Sequence, residues 1–164
     1  MSGKGMTPRE AASALIAAMP TGVTESQLEE YGIEATRERA HALTREILSL
    51  NLFWIFAAIE AHIPQKFQSV VSDLVLHSVE SGWTTVYPAG AVAWTTFLLE
   101  SKERIKRYER LVKEGMSSLA ISAEVGMWLE EQRIVGEEER RNVLTLLIDS
   151  MPIETYGQLL QDVG

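Results

Sequence analysis

The run Ile47 to Ile59, ILSLNLFWIFAAI, decides the fold. It is 13 residues long, against the roughly 20 apolar residues that a membrane-spanning helix needs. Glu60, His62 and Pro64 close it. An apolar helix too short for lipid belongs inside protein, so this run is expected to be a central core helix and not a membrane span. The surroundings agree. Between Asn51 and Leu99 the only formal charges are Glu60, Lys66, Asp73 and Glu80, whereas both flanks are dense in charge. The uncharged stretch Ser81–Leu99 holds Gly82, Pro88, Gly90 and four threonines, which also speaks against a span.

A length of 164 residues fits one domain, 1–164, able to bury a sizeable core. The net charge of −8 makes the chain acidic and disfavours a free nucleic-acid or anionic-membrane binder. There are no cysteines, which removes disulfides, thiolate catalysis and Cys-type zinc sites. That usage suits a reducing cytoplasm. The start, MSGKGMTPREAASALIAAMP, carries an Arg–Glu pair before its apolar run and reads as a first helix, not a secretory signal.

Working outward from the central run, every segment reads as helix. Thr7-Pro8-Arg9-Glu10 is a capping box with Pro at the first helical position, and the helix should stop at Pro20. Thr24-Glu25-Ser26-Gln27 repeats the box and opens a short helix ending near Gly32. Nothing breaks helix from Glu34 to His62. Pro64 restarts the chain, and Phe67, Val70, Val71, Leu74, Val75 and Val79 recur at the helical period. Ser81–Tyr87 reads as a connecting loop, and Pro88 as the start of a long helix reaching Glu114. Ser117 or Ser118 should cap a helix to about Ile134. Glu137–Met151 and a short segment after Pro152 complete the set. The expected fold is therefore all-α, a single-domain bundle of six to eight helices around a central apolar helix. The echo between Leu15–Pro20 and Leu147–Pro152 reads as two helix endings, because solenoid repeats need at least three copies to bury a continuous core.

Chemistry is sparse. Glu38 and His41 share a helix face, but a di-iron bundle needs two such pairs and two further Glu. In a hairpin about Pro64, His41 and His77 miss each other by about 12 Å at ~1.5 Å per residue, so a three-His site is disfavoured. Asp73, His77 and Glu80 lie on one face and form the best local polar cluster. They complete no recognised ligand set, so no metal and no cofactor is expected. Lys102, Lys106, Arg110 and Lys113 form a basic row. Glu100–Arg104, Glu103–Arg107 and Glu109–Lys113 at i, i+4 mark that helix as a solvated face. The segments that mimic a helix-turn-helix, around Gln27–Leu43 and Met116–Arg133, put acids where a recognition helix needs bases. No GxGxxG, P-loop, GxSxG or HExxH occurs.

The aromatics remain. Phe53, Trp54, Phe56 and Trp94 fall in the two apolar helix halves; Trp83 and Tyr87 flank the expected loop, where such residues anchor interfaces. The leading expectation is a non-enzymatic protein-interaction module. Surplus apolar surface around Phe53, Trp54, Phe56, Trp83 and Tyr87 would form a homodimer seam or take a partner's helix. The alternative is a small-molecule-binding bundle or enzyme with a pocket near Asp73, His77 and Glu80.

Overall fold

The computed structural model describes residues 5–161. Among them are eight α-helices and no strand: α1 Pro8–Ala18, α2 Glu25–Glu30, α3 Arg37–His62, α4 Gln65–Ser81, α5 Trp94–Lys113, α6 Ser118–Glu131, α7 Arg140–Asp149 and α8 Ile153–Leu159. A 3-10 turn, Glu137–Glu139, leads into α7. The chain is an all-α bundle, and α3 is its central helix.

Local signals set most of the boundaries. The Thr7 and Thr24 capping boxes both form, each hydroxyl accepting from the third helical amide while Glu10 or Gln27 reaches back. Ser117 caps α6 by accepting from the Ala120 amide. Thr36 caps α3 through the Arg39 amide, so that helix starts at Arg37 and not at Glu34. The freed Glu34 amide donates to the Glu139 carboxylate at 2.7 Å.

Two neighbouring cores share α3. One packs Ala11 and Leu15 of α1, Val71, Val75 and Val79 of α4, Phe97, and Tyr156 of α8 against Leu48, Leu52, Ile55 and Ile59. The other packs Leu28, Tyr108, Ile121, Val125, Val143 and Leu147 against Ala40, Leu43, Ile47 and Leu50. Trp54 and Ile105 touch both. Each fully buried Leu or Ile contributes about 1.5–3 kcal/mol, so α3 is held from nearly every side. It is also long and apolar enough to cross a membrane, but 72% of that apolar window is buried inside the protein.

The segment after α4 departs from expectation. Pro88 does not open a helix; α5 begins at Trp94. The Ala89 amide instead donates to the Tyr87 carbonyl at 2.8 Å, a three-residue turn centred on Pro88. Gly90 follows in the left-handed region, φ +86°, where a Cβ would come within 2.8 Å of His41 Nδ1. Arg45 Nη1 donates to the Ala89 carbonyl at 2.7 Å, and Trp83 Nε1 to the Val92 carbonyl at 2.7 Å. His41 and Arg45, one turn apart on α3, thus hold this connection down as irregular chain. The Leu15–Pro20 and Leu147–Pro152 segments are two helix endings. Irregular chain follows Pro20, while α8 follows Pro152 at once.

The apolar run on α3 carries polar side chains that sequence periodicity passed over. Asn51 is fully buried; its amide donates to the Ile47 and Ser150 carbonyls at 2.9 Å, and Tyr156 donates to its Oδ1 at 2.6 Å. It ties the end of α7 and the body of α8 to α3. Removing it strands the buried Tyr156 hydroxyl and the carbonyl of half-buried Ser150, at about 1–3 kcal/mol for a fully buried group. Asn51→Ala is therefore expected to cost about 2–4 kcal/mol in urea denaturation. Tyr156→Phe, which strands only one acceptor, should cost less. A loss near zero for Asn51→Ala would contradict this role.

Candidate functional site

The residues singled out from sequence do not converge. Asp73, His77 and Glu80 all lie exposed on the outer face of α4. Glu80 borders a shallow groove of about 440 Å³ with Trp83, Thr84 and the chain from Gly90 to Trp94; Asp73 and His77 lie outside it. No group of three His, Cys, Asp or Glu among the described residues is placed to hold a metal. Trp83 and Tyr87, expected on an exposed loop, are only 6% and 9% exposed. Trp83 packs on Phe97 at 4.5 Å and edge-on to Trp94 at 5.5 Å, because its indole fills the gap left where α5 starts late. Phe53 is buried against Trp54 and Tyr108. Trp54 and Phe56 are half-buried, so most of the expected apolar surplus is consumed within the chain.

A polar network sits where α3 crosses α5. The buried Glu46 carboxylate accepts a short hydrogen bond from Tyr108 and lies 3.4 Å from Arg104 Nε. Arg104 also donates to Ser49 Oγ and to Glu100. The Ser49 hydroxyl donates to the Arg45 carbonyl, leaving Ser101 Oγ, 3.1 Å away, as donor to Ser49. Arg104 therefore turns inward, unlike the solvated pair expected with Glu100. Lys102, Lys106, Arg110 and Lys113 are all exposed, as a solvated face requires. Arg107 stacks on Trp128, 4.1 Å above the ring. The network is closed on itself and its helices are in contact, so it acts as a fastening, not as a receptor.

The receptive geometry lies elsewhere, in a cleft of about 450 Å³ between α6, α7 and α8. One wall is the first turns of α6, with Ser118, Leu119 and Ser122; the others are Ile148 of α7, the Met151–Pro152 turn, and Ile153 to Thr155 of α8. Pro152, at φ −79° and ψ 63°, is the centre of an inverse γ-turn closed by Ile153 N–H to the Met151 carbonyl at 2.9 Å. That turn swings α8 away from α7 and opens the cleft. The two residues between Ile148 and Met151 are fastened from outside the cleft: Tyr31 donates to Asp149 at 2.7 Å, and Asn51 to the Ser150 carbonyl. Leu119 is 56% and Ile148 43% exposed, whereas Ser122 is fully buried and its hydroxyl has no partner. Glu154 is the one charged residue of the lining. The signal in sequence was α6 itself, SLAISAEVGMWLEE, with apolar side chains on more than one face.

No protein-family model, curated protein or solved structure matches this chain.

All four tyrosines titrate above the ordinary phenol. Burial and then the charge of Glu46 push Tyr108 far up, opposed by Arg104 and Arg107. Burial alone raises Tyr156 and Tyr87, and the hydrogen bond to Asp149, more than burial, raises Tyr31. A phenol that keeps its proton when folded, above the pH where the unfolded chain has lost it, destabilises the fold as pH rises. Stability should therefore be insensitive to these groups below about pH 10 and fall above it. In an alkaline titration, the tyrosinate absorbance of Tyr108 and Tyr156 should rise only together with loss of the helical circular dichroism signal. Four phenols ionising near pH 10 in a chain still fully helical would contradict the packing described.

Proposed function

We propose that this chain is a non-enzymatic interaction module that takes a basic amphipathic helix of a protein partner into the cleft between α6, α7 and α8. The observation that carries the reading is a held-open apolar cleft in which exposed Leu119 and Ile148 flank the buried, unpartnered Ser122 hydroxyl. Exposed Leu and Ile beside a concave surface fit the apolar face of a helix. Ser122 offers a donor or acceptor to one polar group of the occupant. Charge selects the occupant: the chain carries −8 and the cleft's one ionic group is Glu154. A basic flank is complementary, whereas a second copy would bring two acidic molecules together.

We prefer this reading to the enzyme or small-molecule alternative near Asp73, His77 and Glu80, whose side chains are exposed on α4 and of which only Glu80 borders a groove. Trp83 and Tyr87 likewise offer little surface to a partner.

The test uses a designed helical peptide with a Leu face and a Lys face. Binding measured by calorimetry is expected, and Leu119→Asp with Ile148→Asp should weaken it at least about tenfold, the loss of one or two buried aliphatic anchors. Both positions are exposed, so the variants should remain folded. Light scattering should report a monomer. Absence of peptide binding, or a dimer that Leu119→Asp splits, would overturn the partner reading; the second result would assign the face to another copy of this chain.

A further inference from the structure

A second, independent feature lies on the opposite function of charge. Where the first turns of α3 meet the turn after α6, Thr36, Glu38, Arg39, Arg45, Arg133 and Ile134 help line an open groove of about 470 Å³. Three guanidiniums and one carboxylate there stand out against a chain of net charge −8. Arg39 already has a counter-ion, the Glu139 carboxylate at 2.9 Å. Arg45 and Arg133 form no ion pair with any described carboxylate.

Arg45 is half-buried, and its Nη1 is spent on the Ala89 carbonyl, which fixes the plane of the guanidinium. Its Nε is buried without a hydrogen-bond partner. Burial accordingly pushes this guanidinium below the ordinary arginine value, and nearby Arg104 adds to the effect while Glu100 opposes it. The fold thus removes solvent from a cation without placing a carboxylate in contact, which is costly unless something else supplies the charge.

Arg133 adds an unrelated sign. It is the one described non-glycine residue with positive φ, 61°, at the position where a glycine ends many helices. An arginine there accepts backbone strain that glycine would avoid. Strain of this kind marks places where side-chain chemistry is retained against conformational preference.

We propose that Arg45 and Arg133, flanked by Arg39, form a binding site for a phosphate oxyanion, either free or as the phosphate of a small phosphomonoester. Arginine suits such an oxyanion; exposed Arg133 can offer its planar fork, while Arg45, with Nε buried and Nη1 on the Ala89 carbonyl, would meet the anion through its remaining Nη hydrogens. Glu38 on the rim sets a limit on size and orientation, since the anion must sit on the Arg45–Arg133 side of the groove.

Inorganic phosphate and a nucleoside monophosphate are titrated separately into the full chain by calorimetry, at low ionic strength. Saturable one-to-one binding of phosphate in the millimolar range or tighter is expected. Equal affinity for both assigns the site to the phosphate group alone; tighter nucleotide binding assigns the rest of the groove to the ester. Arg133→Gly is the decisive variant. It relieves the strain at φ 61° and should hold or raise Tm, yet weaken phosphate binding by about tenfold or more. Arg45→Gln should weaken it at least as much. Failure of both probes to bind at millimolar concentration would overturn the proposal. So would affinity unchanged in Arg133→Gly and Arg45→Gln, or equal binding of chloride at matched ionic strength.

Discussion

Glu46 is the residue on which the arrangement turns. Its carboxylate is buried in the middle of α3, at the crossing with α5, and is met there by the Tyr108 hydroxyl and the Arg104 guanidinium. A buried charge with one partner removed typically costs about 3–5 kcal/mol. That penalty forbids any packing in which α5 slides or rotates away from its partner. Apolar stripes are tolerant of register; a carboxylate that must meet a phenol and a guanidinium at once is not. The crossing itself is made close by Ser49 and Ser101, small side chains whose hydroxyls are 3.1 Å apart.

The same device recurs along α3. Thr44 both accepts from the Val23 amide and donates to its carbonyl, pinning the chain before α2. Arg45 holds the connection at Ala89, Glu46 and Ser49 hold α5, and Asn51 holds the end of α7 together with α8. At the N-terminal end Arg39 and Glu139 fasten the start of α7. Burial alone would raise the Glu139 carboxyl, but the Gly136 and Glu34 amides and Arg39 together hold it below the usual range. The chain before α2, α5, the two ends of α7, and α8 are thus each positioned on α3 by a polar contact and stabilised by apolar burial over the rest. Hydrophobic area supplies the driving force, and the polar contacts select the arrangement.

These physics explain what could be read in the chain and what could not. Thr7, Thr24 and Pro8 act on their own helices within a few residues, so the caps were legible. So was the core status of Ile47–Ile59, which depends on its length and on the charges that bound it. The purpose of Ser49 and Asn51 was not, because their partners lie far along the chain; Tyr156 is 105 residues from Asn51. Periodicity says which side of a helix is buried, but not what it is buried against. Pro88 is ambiguous in the sequence for a related reason: Pro at the first turn of a helix and Pro at the centre of a γ-turn look alike locally. Gly90, lying under His41, was the residue that distinguished them. With Trp83, Tyr87 and Phe53 consumed in the core, the exposed large apolar side chains are scattered, at Val70, Val86, Leu99, Val112 and Met127 as well as at Leu119 and Ile148 beside the cleft of α6, α7 and α8.

The central claim, that a buried polar contact fixes the α3–α5 crossing, is tested most directly by a double-mutant cycle. Urea unfolding of the parent chain, Glu46→Gln, Tyr108→Phe and the double variant gives the coupling between the two side chains, free of their separate packing effects. The account predicts a coupling above about 1 kcal/mol, with the double variant recovering part of the sum of the single losses. Additivity within about 0.3–0.5 kcal/mol, the behaviour of independent sites, would contradict it and leave the crossing to apolar packing alone.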